Sequence, residues 1–462
     1  MRKMLAVVLT AAMGCSLLSG CSGGGSTGGA KQTTQAPTQA AGGSSSGETK
    51  AADTAPAADA SMYEVTEPIT IQWWHALEDQ YSQTVDDVVK GFNESQDLIT
   101  VEPVYIGSYS QLNEALVAAN AAGTGLPAIT VTNTPYVAEY GAGGLTEVLD
   151  PYIQASGYDV EDFGEGMLEA GKYDSKQVCL PFLISTQVVY YNKDMADELG
   201  VTVPEKWADM DEFLEKVSIV NNGTTERYGS IVPGWDQWYF ETVYLNSGVK
   251  LVNDDMTSTD LDSQAAVDLV YKYKEWCDKG LIYWANGADA SSIMRQNFID
   301  GKAFSVFHTS SLYNTYVDKC SFEVGMAWLP GGESTKNQEI GGSMLLIPSK
   351  NDQATKNAGW QFLMYLCGKD VNMKWAKETG YMPTRNSVLK TDEGKKFLEE
   401  KPAFQCIFDN LDLIKPRISH PGWNQMVTIW KSYLAEIMIE DVDIPSKIED
   451  MVEEINEVLE DA

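Results

Sequence analysis

The sequence predicts an α/β protein built from two lobes, and two observations support this. β-prone runs alternate with segments whose apolar residues recur at helical spacing, which is typical of βαβ units and a mostly parallel sheet flanked by helices. Without the first 20 of its 462 residues the chain keeps 442, too many for one hydrophobic core and natural for two. An apolar fraction of 44% suffices to fill such cores.

The amino terminus predicts a secretory signal over residues 1–20. Arg2 and Lys3 precede an uncharged apolar run over 4–18, too short to span a bilayer comfortably. The segment Leu-Leu-Ser-Gly-Cys at 17–21 resembles a bacterial lipobox, which implies lipid on Cys21 and an anchor on the outer face of a membrane. An ordinary export signal with an incidental cysteine is the alternative.

Residues 21–62 combine the expected lipidated cysteine with a disordered tether. The tether is rich in Gly, Ser and Thr and has almost no large apolar side chain, so it cannot bury enough surface to fold. We find no later stretch apolar enough to span a bilayer, so the lipid is the only membrane attachment expected.

The net charge of −33 disfavours nucleic acid and anionic lipid surfaces as partners. Five cysteines beyond position 21, at wide and irregular spacing, form neither a disulfide framework nor a zinc motif. We expect no metal and no cofactor. We also expect a monomer.

The first lobe opens with strands at 69–73, 99–106 and 128–132. Between them lie two helical patterns, carried by Val85, Val88, Val89 and Phe92 and by Leu112, Ala115, Leu116 and Ala119. After a break at Leu180-Pro181-Phe182, the sequence predicts a strand at 188–191, a helix at 207–217 and a loop at 229–239. A helix capped by Asp262 and Ser263 then ends at Gly280, and a strand at 343–347 precedes a helix that ends at Gly368. The last helix has its apolar stripe on Ile448, Met451, Val452, Ile455 and Leu459.

Motifs for catalysis are not evident. No GxSxG, HExxH, P-loop or GxGxxG opens a helix after a strand, and we predict no catalytic residue. His75, His308 and His420 are far apart in sequence and are expected to be hydrogen-bonding groups. With 66 carboxylates, a two-carboxylate glycosidase stays open as an alternative. The acidic run at 254–262 lacks the Gly and Glu of a calcium loop, and a surface turn is favoured.

Aromatic residues in loop-like contexts are the strongest indication of a binding site. Trp74 and His75 end the first strand, where open α/β sheets present ligand-facing loops. Trp235 and Trp238 lie among Gly, Asp and Gln. Flat aromatic faces beside polar groups suit small polyhydroxylated solutes, although packing between the lobes would also use such rings.

A longer set of residues carries a resemblance to a known family. The set is Trp74-His75, Gly107-Ser108-Tyr109, Pro127-Ala128-Ile129, Pro181-Phe182, Ser185-Thr186, Tyr190-Tyr191-Asn192-Lys193-Asp194, Gly234-Trp235, Trp238, Ser310-Ser311-Leu312, Gly341-Gly342, Thr379-Gly380-Tyr381, Pro383 and Arg417. From about Ile69 to the end, the chain resembles the extracellular solute-binding proteins of ABC importers in the carbohydrate-binding class. Members that bind glycerol phosphate are the nearest likeness.

The resemblance implies a periplasmic-binding-protein-like fold of two lobes joined by a hinge. The lobes would be 63–180 plus 331–380 and 181–330 plus 381–462, with hinge crossings near 180–183, 329–331 and 381–384. The implied ligand-binding residues are Trp74, His75, Tyr109, Ser185, Trp235, Trp238, Ser310, Ser311, Gly342, Tyr381 and Arg417, the last as a bidentate grip on an anion. Thr134 stands where the glycerol phosphate binders have an acid.

These expectations describe a lipid-anchored protein on the outer face of the cell membrane. It would close on a sugar or polyol phosphate, with glycerol 3-phosphate favoured, and deliver it to an ABC permease. A tethered extracellular glycosidase and a binding protein that serves a surface sensor are the alternatives.

Overall fold

The computed structural model describes residues 63–77, 81–287 and 289–461. The predicted signal at 1–20, Cys21 and the tether at 21–62 lie outside the described residues. Within the described ranges, every helix is too short or too polar to cross a bilayer.

The strands of the described chain are β1 (Ile69–His75), β2 (Ile99–Tyr105), β3 (Ile129–Asn133), β4 (Lys172–Tyr173), β5 (Lys176–Gln177), β6 (Leu180–Asn192), β7 (Ile219–Asn221), β8 (Thr224–Val232), β9 (Ile282–Trp284), β10 (Ala303–Thr309), β11 (Val324–Ala327), β12 (Gln338–Leu346) and β13 (Ile414–Lys415).

The α-helices are α1 (Ser82–Ser95), α2 (Tyr109–Ala122), α3 (Tyr136–Ala142), α4 (Asp150–Ser156), α5 (Glu165–Glu169), α6 (Lys193–Leu199), α7 (Met210–Val217), α8 (Trp238–Asn246), α9 (Gln264–Asp278), α10 (Ala290–Ile299), α11 (Tyr313–Lys319), α12 (Gln353–Leu366), α13 (Lys369–Glu378), α14 (Asp392–Glu400), α15 (Gln405–Phe408), α16 (Trp423–Ile439) and α17 (Ile444–Asp461). Short 3₁₀ turns cover Trp207–Asp209, Ser310–Leu312, Val388–Lys390, Pro402–Phe404 and Leu411–Leu413.

The main sheet is mixed, with parallel pairs in both outer parts and an antiparallel edge strand, β7, beside β8. Its order is β2-β1-β3-β12-β6-β10-β8-β7. β1 runs parallel to β2 and β3, and β8 runs parallel to β9 and β10. β12 and β6 run antiparallel to their neighbours in the middle of the sheet. This confirms the predicted α/β class and places two parallel units on either side of a pair of crossing strands.

β6 crosses from one parallel unit to the other. Up to Thr186 it pairs with β12, and from Gln187 it pairs with β10. The predicted break at Leu180-Pro181-Phe182 is wrong, because the strand runs through it. Pro181 lacks a backbone N–H, and the sheet accommodates it with a bulge in the pairing to β12 between Ser343 and Met344.

Two further boundaries differ from prediction. β12 begins five residues before the expected Ser343, because Gly341 and Gly342 hide the strand pattern of its first half. The predicted loop at 229–239 is shorter, since β8 ends at Val232 and α8 begins at Trp238. Both differences lengthen the regular structure around the crossing strands.

The helix predictions that rest on apolar spacing are confirmed. Val85, Val88, Val89 and Phe92 are buried on α1. The five residues of the stripe on α17 are also all buried. Ser263 is at the N-cap position of α9, but its side chain makes no capping hydrogen bond.

Hydrophobic side chains form separate cores on the two sides of the crossing strands. One core packs Trp73, Trp360 and Phe362 beneath β1–β3 and α12. A second core packs Trp276 and Trp430 among α8, α9, α16 and α17. A third follows the crossing strands and includes residues of both β6 and β12. This arrangement agrees with two lobes that share a central seam.

Candidate ligand-binding site

Trp238 packs against the backbone of the crossing strands. Ser185 on β6 pairs with Gly341 on β12. A Cβ atom at position 341 would overlap the Trp238 ring and would lie 3.1 Å from Ser185 Oγ. Gly342 has φ +93°, and a Cβ there would collide with the carbonyl of Leu183. Gly341 therefore lets the Trp238 ring approach the strand backbone closely, and Gly342 lets β12 and β6 lie close together.

The serines at 310 and 311 join this group from the end of β10. Ser310 Oγ accepts a hydrogen bond from Thr186 N at 3.2 Å. Ser311 Oγ lies 3.0 Å from Thr309 Oγ1 and also hydrogen-bonds the hydroxyl of Tyr381, whose pKa burial raises well above its usual value. Ser310, Ser311 and Tyr381 thus lie together beside β6, and their role in ligand binding stays a prediction.

Tyr109 reaches the same seam from the start of α2. Its hydroxyl lies 2.6 Å from Ser343 Oγ, next to Gly342. Ser343 pairs with Asn133 at the end of β3. Thr134, the next residue, is buried, and its hydroxyl has no hydrogen-bond partner among the described residues. The carboxyl end of β3 therefore places Asn133 and Thr134 beside Ser343, the hydrogen-bonding neighbour of Tyr109.

Trp235 and Trp238 are linked through Tyr239. The Tyr239 ring centroid lies 5.7 Å from that of Trp235 and 5.0 Å from that of Trp238. The indole N–H groups of both tryptophans are buried and have no acceptor within the described residues. Other buried tryptophans, such as Trp73, Trp360 and Trp430, share this feature, so an unpaired indole N–H does not by itself identify a ligand site.

Trp74 and His75 are held at the end of β1 by neighbours of that strand. Trp74 Nε1 donates to Gln72 Oε1 at 3.2 Å, and His75 Nδ1 accepts from Leu77 N at 3.3 Å. Burial lowers the pKa of His75 to about 4, so the ring is neutral at pH 7. These contacts do not include the group around Gly341, and a ligand role for the two residues stays a prediction.

Arg417, implied by the family resemblance to grip an anionic ligand, is paired with an acid of the protein itself. Its Nη2 lies 2.6 Å from Glu241 Oε1, and the side chains of Arg417 and Glu241 are only 7% and 0% exposed. The side-chain oxygen of Gln237 accepts from the same Nη2 at 2.9 Å. The guanidinium is therefore already engaged within the protein, close to the start of α8.

A second buried acid lies beside this ion pair. Glu339 Oε2 accepts from Thr242 Oγ1 at 3.1 Å, and its carboxyl also hydrogen-bonds Glu241. Burial raises the pKa of both carboxyls, and the Glu241 charge raises that of Glu339 further. When the two carboxyls share one proton, one of them donates a hydrogen bond to the other and only one negative charge is left between them.

Gln187, on β6, hydrogen-bonds the start of α8 and the backbone of Glu339. Its Nε2 donates to the carbonyl of Trp238 at 2.6 Å and to Thr242 Oγ1 at 2.8 Å. Its Oε1 accepts from Glu339 N at 3.2 Å. Sequence reasoning missed Glu241 and Glu339, although Glu241 lies one helical turn after Trp238 and Glu339 lies two strand positions before Gly341.

The remaining histidines are hydrogen-bonding groups, as expected. His308 Nδ1 lies 2.9 Å from the Tyr316 hydroxyl, and His420 Nε2 lies 3.0 Å from the carbonyl of Met256. The acidic run forms the predicted surface turn, closed by Asn253 N donating to Ser258 O at 2.8 Å. Across residues 63–77, 81–287 and 289–461, no three His, Cys, Asp or Glu side chains form a group able to hold a metal ion.

This fold defines a class of protein: the two-lobed, periplasmic-type binding proteins. The chain belongs to the bacterial extracellular solute-binding protein family, whose sequence profile matches residues 87–405.

Relatives and solved structures agree with this assignment. The sn-glycerol-3-phosphate-binding periplasmic protein UgpB of Yersinia pestis is 26% identical over 353 residues, which cover 72% of this chain and 78% of that protein. The protein of the same name from Escherichia coli K12 is 24% identical over 350 residues, with the same shares covered.

Among solved structures, UgpB from Mycobacterium tuberculosis in complex with glycerophosphocholine superposes with a TM-score of 0.75 at 19% identity. The alignment covers 86% of this chain and 99% of that one. The GacH receptor of Streptomyces glaucescens, solved without ligand and with acarbose, superposes with a TM-score of 0.73 at 19% identity over 85% of this chain and 98% of its own. At these identities the likeness establishes the fold alone.

Proposed function

We propose that this protein is the solute-binding component of an ABC importer and that it captures a carbohydrate or a polyol phosphate at the crossing strands. The group that joins Ser185, Gly341, Trp238, Ser311 and Tyr381 carries the proposal. It combines an aromatic face, close backbone approach and hydroxyl groups, the combination that polyhydroxylated ligands require.

The names of the sequence relatives support a glycerol phosphate, whereas the acarbose receptor among the structural neighbours supports a sugar. Both ligands present hydroxyl groups on a small carbon frame. Such a frame suits a Trp face whose indole N–H groups have no partner within the described residues. The protein acts by binding, and no catalytic step is assigned to it.

Capture proceeds by closure of two lobes, 63–180 plus 331–380 and 181–330 plus 381–462. The continuous pairing of β6 and the bridge between Ile184 and Met382 support crossings near 180–183 and 381–384. The bridge between Lys206 and Gly331 lies at the third proposed crossing, near 329–331. Ligand binds to one lobe of the open form, and rotation about the crossings buries it against the other.

A lipid on Cys21 holds the protein at the outer face of the cell membrane, and residues 22–62 serve as the tether. The monomer then delivers its solute to the transmembrane subunits of the permease. The lipobox-like segment at 17–21 supports the anchor.

A thermal-shift screen tests the binding role. The purified protein is mixed with neutral mono- to trisaccharides, glycerol 3-phosphate and glycerophosphodiesters, and the melting temperature and the ligand's chemical fate are both followed. We expect one ligand class to raise the melting temperature and to be recovered unchanged. Conversion of the ligand would favour the glycosidase instead, and the absence of any shift would contradict the proposal.

Uptake separates the importer from a sensor. Cells that lack the gene should lose accumulation of the radiolabelled ligand found in the screen, and the gene should restore it. Normal accumulation with a lost transcriptional response would assign the protein to a sensor.

A further inference from the structure

The ion pair of Arg417 and Glu241 lies one helical turn from the aromatic face of the site. Trp238 and Glu241 are three residues apart on α8 and therefore share one side of that helix. Glu241 is completely buried, so its carboxylate cannot leave the guanidinium for water without a structural change. The pair is thus held in place next to the Trp238 end of the candidate site.

Acids outnumber the guanidinium in this cluster. Glu339 hydrogen-bonds Glu241, and Asp236, just before α8, adds a negative charge that acts on the same carboxyl. Even with one proton shared between Glu241 and Glu339, the remaining carboxylate matches the charge of Arg417. The cluster therefore offers an incoming ligand no net positive charge.

We infer that Glu241 is a specificity-determining residue, which neutralises Arg417 and makes the site select uncharged polyhydroxylated solutes over phosphate esters. The inference rests on the proposed function and deepens it. A phosphate ester would have to displace the Glu241 carboxylate, which would leave a buried charge unpaired, or approach it at close range in a medium of low dielectric. Both routes are costly.

An uncharged sugar meets neither obstacle. Its hydroxyl groups accept from the unpaired indole N–H groups of Trp235 and Trp238, while its C–H face stacks on the Trp238 ring. The Arg417–Glu241 pair then stays in place as a neutral ion pair, and binding of the sugar does not require it to open.

Isothermal titration calorimetry at pH 7 and low ionic strength tests the inference. The probes are neutral mono- to trisaccharides, glycerol, glucose 6-phosphate and glycerol 3-phosphate. The wild-type protein is compared with Glu241→Gln, which keeps the shape of the side chain and removes its charge. Glu449→Gln, on the exposed face of α17, is the matched control for the change in net charge.

We expect the wild type to bind a neutral saccharide at least tenfold more tightly than either phosphate ester. Glu241→Gln should gain affinity for phosphate esters and so reduce the preference for saccharides over phosphate esters at least tenfold. Glu449→Gln should leave this preference unchanged. If Glu241→Gln fails to fold, the ratio measured on the wild type decides.

Tighter binding of a phosphate ester than of any saccharide by the wild type would overturn the inference and leave the proposed function standing. An unchanged ratio in a folded Glu241→Gln would also overturn it. Binding of neither class would overturn the proposed function and the inference together.

Discussion

The ring of Trp238 occupies the space that a side chain at position 341 would fill. Position 341 must therefore be glycine for the indole to contact the paired backbones of β6 and β12. Through Gln187, which binds the carbonyl of Trp238, the start of α8 is fixed to the same strands. The aromatic face of the site is consequently placed by backbone geometry rather than by a flexible loop.

Replacement of Trp238 by Phe should weaken ligand binding about tenfold, or about 1.4 kcal/mol. The smaller ring loses stacking area and the unpaired indole N–H. Calorimetric titration with the ligand identified in the thermal-shift screen measures the change. Trp276→Phe is the control, because Trp276 is equally buried but donates to Asp211 Oδ1 in the second core. Equal affinity losses in both variants would mean that Trp238 acts only through packing.

Arg385 should be a major source of stability. Its guanidinium donates to the carbonyls of Cys367 and Asp159 and to the Tyr158 hydroxyl, and it lies 3.7 Å from the centroid of the Phe163 ring. Arg385→Met leaves these buried acceptors unpaired and should lower the free energy of unfolding by about 3 kcal/mol.

Urea unfolding measures the effect of Arg385→Met. Lys395→Met serves as the control, because its ion pair with Asp392 is exposed and such pairs contribute about 0–1 kcal/mol. Midpoints that shift equally in the two variants would refute a special role for Arg385.

Stability should fall as the pH is lowered from about 6.5 to about 4, with His75 as one cause. The pKa of His75 is lowered in the folded protein from 6.5 to about 4 by burial. Between these two pH values His75 takes up a proton in the unfolded chain but not in the folded protein, so protonation favours unfolding. The contribution of His75 reaches about 3 kcal/mol at pH 4.

Urea unfolding of the wild type and of His75→Gln at pH 7, 5.5 and 4 isolates this contribution. Groups other than His75 titrate in both proteins, so the difference between the two stability curves reports the histidine. The variant should lose less stability on acidification than the wild type. Parallel curves would show that His75 takes up its proton over the same pH range in the folded protein as in the unfolded chain.

Cys21→Ser should release the protein from the membrane. A serine cannot form the thioether that carries the lipid, so the protein should move from the membrane pellet to the soluble extracellular fraction. Immunoblots of fractionated cells, and incorporation of labelled palmitate by the wild type only, check this. Retention of the variant in the pellet would contradict lipid anchoring at this residue.

Local periodicity explains which parts of the fold could be predicted. The apolar stripes of α1 and α17 depend on residues three and four positions apart, so the sequence alone reveals them. β6 could not be recognised in full, because Pro181 is tolerated only through a bulge in the pairing with β12, more than 150 positions away.

The contacts of the candidate residues could be anticipated only in part. Tyr109, Ser185, Trp238, Ser311 and Tyr381 all lie along the crossing strands or their neighbours, and their ligand role stays a prediction. The partner of Arg417 could not be predicted from the sequence, because nothing local distinguishes Glu241 and Glu339 from the other acidic residues, 66 in all. Only the packing of α8 against β12 brings these two side chains together.

The unbroken passage of β6 through the centre of the sheet has a mechanical consequence. A loop can bend in many directions, but a strand hydrogen-bonded to neighbours along its whole length resists bending and yields mainly by twisting. Any opening of the molecule would then be steered along one torsional path. Each cycle would return the same residues to the same positions, and a partner that recognises the shut form would meet a reproducible surface.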